Sequence, residues 1–302
     1  MVPHPTPQQL RYLLALAEQQ HFGRAAKDCA VTQSTLSAGL LALERQLDAA
    51  ILDRDAGKRV VFTALGRELV ARARTVTAAL DAFVEAAATS RAPMSGPLRL
   101  GVIPTIGPFL LPALMPKLRQ HFPQLRLYLR EDTTDRLIDR LRNARLDAVI
   151  LALPCDCPGA DTVAVVRDEF LAALPPGHAL SGRERIPLVA LAAERLLLLE
   201  EGHCLREHAL SACGFIRNQD AGQEGFAATS LHTIVQMVAG GLGVTLLPQL
   251  AISAGVAAGT DIVLRPLSGA GAWRSLGLAW RAGSPRAGEY RALIPALAAA
   301  TG

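Results

Sequence analysis

Apolar residues recur every three or four positions through the first 87 residues of this chain and then change habit. Leu36, Leu40, Leu43 and Leu47 form one stripe, and Leu65, Leu69, Ala73, Val76, Leu80, Phe83 and Ala87 form another. Such spacing places side chains on one face of a helix. Residues 91–97 interrupt the pattern with Pro93, Gly96 and Pro97, as a linker does. Beyond them, short apolar runs at 98–103, 125–129 and 147–153 alternate with helical stretches that reach His121 and cover 134–144. That alternation predicts a parallel sheet with crossover helices. A second set of such elements spans about 163–262, a strand-like run follows at 276–280, and an Ala/Leu helix ends the chain. The simplest arrangement is a helical N-terminal part followed by two similar α/β halves with a cleft between them.

Composition fits this reading. Half of the residues are hydrophobic but only 4% are aromatic, which suits helices and buried aliphatic strands more than an all-β sandwich. The formal charge of +4 is compatible with an acidic partner, yet the first 63 residues carry seven basic side chains against six acidic ones. Affinity for nucleic acid must therefore come from placement rather than excess. Within that segment a helix over 10–17 and a second at Phe22–Cys29 precede the break Ala30-Val31-Thr32. The third helix then leaves Gln33, Ser34, Ser37 and Ala38 free on the face opposite its leucines. Asp55 to Lys58 is turn chemistry before the β-branched run Val60 to Thr63, which puts Lys58 and Arg59 on a hairpin wing. The seam from Leu65 to Ala87 suits a partner helix and predicts a dimer; packing on its own domain is the plain alternative.

The N-terminus has no basic segment followed by an apolar one, and no stretch approaches the roughly 20 apolar residues of a membrane span. A cytoplasmic protein without a membrane partner is the expectation. Its five cysteines then lie in a reducing compartment, where a stable structural disulfide is not expected and a reactive thiol is the interesting option. Cys29 reads as core. Cys155 and Cys157 bracket Asp156 in a loop beside Pro154 and Pro158, and read as exposed bystanders, with metal binding a minor alternative. No metal or cofactor is expected.

Residues 21–47, with aromatic Phe22, the Ala25-Ala26 pair and the Gln33-x-x-Leu36-Ser37 positions, resemble the helix-turn-helix of LysR-type transcription regulators. The small alanines let two helices approach, and the turn presents the next helix by its N-terminal end, whose amides favour phosphate. Gln33 can contact adenine through two hydrogen bonds, and Ser34, Thr35 and Ser37 are short donors for bases or phosphates. Arg54, Lys58 and Arg59 complete the expected DNA-binding set. The resemblance departs at Ser34, where relatives often have Pro, and at Asp48, where they often have Gly. Gly39 weakens its helix by about 1 kcal/mol relative to Ala. The implied organisation is a winged helix-turn-helix domain over 1–64, a dimerising linker helix and hinge over 65–96, and a regulatory domain of two α/β subdomains of periplasmic-binding-protein type over 97–302.

Residues 196–213 are similar to the peroxide-responsive branch of that family, whose Gly-His-Cys-Leu-Arg run is matched by Gly202 to Arg206. Segments 102–112, 227–230, 240–248 and 280–285 extend the likeness over nearly the whole chain. It implies that Cys204 attacks peroxide, that Cys213 resolves it as a reversible disulfide, and that Thr105, Thr134, His203, Arg206 and Arg281 line the peroxide pocket. By position alone, Cys204 precedes the helix formers 205–212, so its sulfur lies near a helix N-terminus that favours thiolate. A helix would hold residues nine apart at about 13.5 Å, whereas a disulfide needs Cα atoms within about 7 Å. Bonding would therefore require that segment to be remodelled.

Taken singly, these residues have plainer readings: Cys213 a small buried hydrophobe, His203 a packing residue, Thr105 a helix N-cap, Arg281 a surface charge. Ala227 stands where a basic residue is expected in close relatives, and Glu207 where Asp is common. The resemblance implies a transcription regulator of oxidative-stress genes, not an enzyme, with double-stranded operator DNA, hydrogen peroxide and copies of itself (a dimer of dimers) as partners, open to RNA polymerase as well. Two other classes compete: a LysR-type regulator that binds a small metabolite in the effector cleft with the cysteines incidental, and a thiol peroxidase.

Overall fold

The structure is a computed structural model and describes residues 4–53, 59–89, 93–200, 202, 204–206, 228–269 and 271–301. The chain divides into two compact units, Met1–Ala88 and Thr89–Gly302.

In the first unit, helix α1 (Pro7–Gln19) starts with Pro at its first turn and a reciprocal cap between Thr6 and Gln9. Helix α2 (Phe22–Asp28) is capped by His21, whose Nδ1 accepts from the Gly23 and Arg24 amides. Helix α3 (Gln33–Leu47) is capped by Thr32, whose Oγ1 accepts from the Thr35 amide. It stops at Asp48, held at φ +48° where glycine is the usual choice. Leu36, Leu40 and Leu43 are buried against Leu13, Leu16, Ala25 and Ala26, and Leu47 is half-buried. Gly39 is explained by space: a Cβ there would stand 2.7 Å from the buried ring of Tyr12. Leu52 and Phe62 bridge antiparallel as the base of the wing. Helix α4 (Ala64–Thr89) buries Val70 and Ala73 but leaves Leu65, Val76, Leu80 and Phe83 exposed.

The second unit contains β1 (Gly96–Val102), α5 (Gly107–His121), β2 (Leu125–Glu131), α6 (Thr134–Arg142), β3 (Ala148–Leu153), β4 (Ala160–Leu174), β5 (Ile186–Pro187) and α7 (Leu188–Leu191). It continues with α8 (Leu231–Ala239), β6 (Thr245–Pro248), α9 (Gln249–Ser253), β7 (Val263–Ser268), β8 (Trp273–Arg281), α10 (Ala287–Ala292) and α11 (Ile294–Ala299). Among the described residues the strands run in the order β2-β1-β3-β8-β4-β7-β5, with β6 also on β4. Among the described strands the expected parallel pairing holds at β1–β2, β1–β3 and the short β5–β7 pair, with isolated parallel bridges at Leu196–Val244 and Leu199–Ala228. β8 enters from the end of the chain and pairs antiparallel with both β3 and β4, so the sheet is mixed. The apolar runs could not reveal this direction, because a strand buried on both faces reads alike either way. β4 and β8 form a ribbon joining the two halves: residues 160–169 of β4 lie on β8, and 170–174 on β6 and β7.

The loop between β3 and β4 corrects a second expectation. Cys155 and Cys157 are not a free bystander pair; their sulfurs are joined, with Cα atoms 5.5 Å apart, inside the range a disulfide requires. Among the described helices none is long and apolar enough to cross a membrane, and no cluster of metal-ligating side chains occurs among the described residues.

Candidate functional site

Two sites can be built from the residues upward. In the first unit, the leucine stripe that seats α3 turns Gln33, Ser34, Thr35 and Ser37 outward, and all four are exposed. The Thr32 hydroxyl also meets Ser34 Oγ at 2.9 Å and Thr35 Oγ1 at 2.8 Å. These contacts fix the first turn of the helix while leaving the Gln33 and Ser37 side chains outward. Arg59 is exposed at the wing; Arg54 and Lys58 lie outside the described residues. Cys29, at the end of α2, is half-buried against the helical core. Burial pushes its thiol up, Asp28 adds to this, and Arg11 opposes it, so it is a poor nucleophile.

In the second unit, β1 and β2 are parallel and end in register at Val102 and Glu131. Thr105 and Thr134 follow their strands by three residues each, so both emerge at the carboxyl edge of the sheet, where open α/β sheets hold ligands. Thr105 is buried and held by Arg274: Nη1 donates to Thr105 Oγ1 at 2.9 Å and Nη2 to its carbonyl at 3.0 Å. The Arg274 Nε donates to Asp168 Oδ2 at 2.9 Å, and Asp168 Oδ1 accepts from the Leu250 amide at 2.9 Å. Arg274 and Asp168 are both buried, so one charge pair ties β4, β8, the start of α9 and the β1–α5 loop together.

Thr134 opens α6, and its buried Oγ1 has no hydrogen-bond partner among the described residues. Beside it, Gly202 at φ +91° adopts a backbone that favours glycine, and a Cβ there would lie 3.8 Å from Thr133 Cγ2. The Cys204 segment therefore approaches the start of α6. Cys204 is half-buried against the core and in a helical turn with Leu205 and Arg206. Asp132 braces the same corner. Its burial opposes ionisation, but hydrogen bonds from Arg130 and the Thr133 amide, with the charges of Arg136 and Arg130, hold its carboxyl below the usual carboxylate range.

A helical unit with an exposed recognition face, followed by a sheet that gathers two threonines and a cysteine at one edge, matches known proteins over its length. The lysR-family model of bacterial regulatory helix-turn-helix proteins matches residues 7–67, and the LysR substrate binding domain model matches residues 91–302. The chain belongs to the LysR family. A LysR relative from Mycobacterium leprae, a probable hydrogen peroxide-inducible genes activator, is 43% identical over 290 residues, covering 95% of this chain and 91% of the relative. The DNA-binding transcriptional dual regulator OxyR of Escherichia coli K12 is 42% identical over 290 residues, covering 96% and 94%. Among solved structures, a full-length OxyR cysteine variant from Pseudomonas aeruginosa aligns with TM-score 0.77 at 37% identity over 98% of both chains. A Corynebacterium glutamicum OxyR cysteine-to-serine variant with hydrogen peroxide bound aligns with TM-score 0.67 at 31% identity, over 99% of this chain and 94% of that one.

Within this LysR fold, one expected site residue is misplaced. Arg281 donates to the carbonyls of Leu141 and Leu146 at 3.1 and 2.6 Å, at the far end of α6. It ends β8, whereas Arg274, which holds Thr105, begins it. Seven strand residues separate the two by roughly 23 Å, so Arg281 does not share a pocket with Thr105. Sequence reading missed Arg274 and Asp168: Asp168 stands in the charged run Arg167-Asp168-Glu169 of β4, and Arg274 shares β8 with Arg281, so neither stands out. Thr105 is not the N-cap of α5 either, since Ile106 occupies that position. Arg206 donates from Nη1 to the Leu199 carbonyl at 3.3 Å, which closes the loop before Cys204. His203, Cys213, Glu207 and Ala227 lie outside the described residues.

Proposed function

We propose that this chain is a peroxide-switched transcription regulator acting in the cytoplasm, with Cys204 as the peroxide-reactive thiol and Cys213 as its resolving partner. The observation that carries this reading is the buried Thr134 hydroxyl, which has no hydrogen-bond partner among the described residues and follows Thr133, the residue that Gly202 approaches. An apolar packing site has no use for an unsatisfied hydroxyl, whereas a small polar substrate would complete it. Thr105 is the second anchor, its hydroxyl oriented by Arg274. The Cys204 thiolate attacks one peroxide oxygen, the O–O bond breaks, and the departing oxygen takes a proton to leave as water, giving a sulfenic acid. The Cys213 thiol then displaces hydroxide from that sulfur; with its proton this leaves as a second water, and the disulfide remains. His203 and Arg206 complete the proposed pocket as sequence neighbours of Cys204.

On DNA, Gln33, Ser34, Thr35 and Ser37 face the bases and adjoining phosphates, while Arg54, Lys58 and Arg59 hold the backbone. The exposed Val76, Leu80 and Phe83 on α4 support a seam for a second copy, and a dimer of such dimers fits the reading. The domains would divide as 1–64, 65–96 and 97–302. The chain acts as a switch rather than an enzyme, consuming one peroxide per oxidation. Footprinting of operator DNA with and without peroxide tests this. Wild type changes its footprint, Cys204→Ser keeps the reduced footprint at every peroxide level, and Cys213→Ser is oxidised at Cys204 without forming the disulfide. A Cys204→Ser protein that still responds, or responds instead to a metabolite, would replace the reading with cleft-ligand sensing.

A further inference from the structure

We propose that Cys155 and Cys157 form a second two-electron redox couple, separate from Cys204 and Cys213, which exchanges with small-molecule thiols and disulfides. The pair lies at 5.5 Å between Cα atoms, and both residues are half-buried against the sheet core while Asp156 between them is exposed. A thiol reagent can therefore reach the bridge from the solvent side. The bridge closes a ring around a single residue, and loop closure that small removes little freedom from the unfolded chain. A role as a fold staple does not account for it, since the surrounding core is already a continuous apolar cluster.

Its place in the topology gives the couple something to act on. β3 ends opposite Ser275 and β4 begins opposite Arg281. The connection must therefore run back along β8 by six residues, roughly 20 Å. The seven Cα steps from Leu153 to Ala160 would reach about 25 Å at full extension, but the Ala160 amide donates to the Cys157 carbonyl at 3.2 Å, so the stretch after Cys157 is folded into a turn. Two free residues flanking one other can separate to about 7 Å, against the 5.5 Å of the bridged pair. Reduction thus frees the Cys155–Cys157 stretch to extend, and oxidation holds it drawn in, beside the β4–β8 ribbon that joins the two halves. In the exchange, a small-molecule thiolate attacks one cysteine sulfur, the S–S electron pair moves to the other, and that cysteine leaves as thiolate. A second small-molecule thiolate attacks the mixed disulfide at its own sulfur, releasing the first cysteine as thiolate and an oxidised small-molecule disulfide.

The test uses the full chain carrying Cys29→Ser, Cys204→Ser and Cys213→Ser, equilibrated in glutathione buffers, quenched in acid, alkylated and read by peptide mass spectrometry. The proposal predicts that the peptide spanning 155–157 carries either two alkyl groups or none. Their ratio should change about tenfold for each tenfold change in the squared glutathione concentration over its disulfide, as a two-electron couple must. Adding Cys157→Ser to that background should accumulate a glutathione mixed disulfide at Cys155. Two free thiols in every buffer, a bridge that survives the most reducing one, or a dominant singly alkylated peptide would each overturn it. The same peptide followed in the wild-type chain decides the matter if the triple variant does not fold. Because the background lacks Cys204 and Cys213, failure of the peroxide reading leaves this result untouched.

Discussion

The recognition helix α3 carries its cap, its buried stripe and its exposed face within residues 21–47, whereas Thr105 is held by a guanidinium 169 positions away, itself fixed by a carboxylate 106 positions from it. The first device is local, and each side chain can be changed with little consequence for the next. The second is a buried charge network drawn from four elements, and its members stand or fall together. A regulator needs both: a surface that can be retuned to an operator residue by residue, and a pocket whose polar groups are fixed before the substrate arrives.

Breaking the network should have the largest effect. Arg274→Met leaves the Asp168 carboxylate buried without its partner and should cost about 3–5 kcal/mol of stability in the regulatory unit. Urea unfolding measures this, with Arg281→Met as the comparison. Among the described residues Arg281 donates to two backbone carbonyls, so losing it should cost about 1–2 kcal/mol. Equal losses would erase the distinction between a network and a cap.

In the recognition unit, Gly39→Ala sharpens the comparison. Helix propensity alone favours alanine by about 1 kcal/mol, but the new methyl would press on Tyr12, and overpacking costs about 1–3 kcal/mol. A net loss of stability with unchanged peroxide chemistry is the expected outcome, and a stabilised variant would mean that the Tyr12 ring moves aside freely. Smaller effects belong to the DNA face. Gln33→Ala should leave stability intact and relax the base preference at one position, where the wild type discriminates by about 1–3 kcal/mol. Arg59→Ala should weaken all sequences alike and lower the salt slope by about 1. Binding titrations at several salt concentrations separate the two; identical losses on specific and random DNA from both variants would remove the division of labour.

This contrast also sets what the sequence could reveal. The α3 stripe, the Ala25-Ala26 contact and the break at 30–32 are short-range patterns, so their structural consequence is readable before any coordinates. The direction of β8 is not, because Leu276, Leu278 and Ala279 are buried and carry the same apolar pattern whether the strand runs parallel or antiparallel. Arg281 drew attention because it stands in a recognisable run near the end of β8, while Arg274, seven residues earlier on that strand, does the work at Thr105. Only the pairing of β8 with β4 brings Arg274 opposite Asp168. The joined Cys155 and Cys157 were hidden by a general expectation about reduced thiols, which says nothing of two sulfurs brought together in the loop between β3 and β4.

In the proposed switch, Cys204 reacts with peroxide seated on threonine hydroxyls at the carboxyl edge of the sheet. The most direct test is the second-order rate of Cys204 oxidation by hydrogen peroxide in wild type, Thr134→Ser and Thr134→Val, followed by rapid alkylation and mass spectrometry. Valine keeps the shape of threonine and removes the hydroxyl, so the rate should fall at least about 10²-fold, the loss typical of one buried donor, while serine should retain most of it. A valine variant that oxidises as fast as wild type would show that the Thr134 hydroxyl does not hold the peroxide.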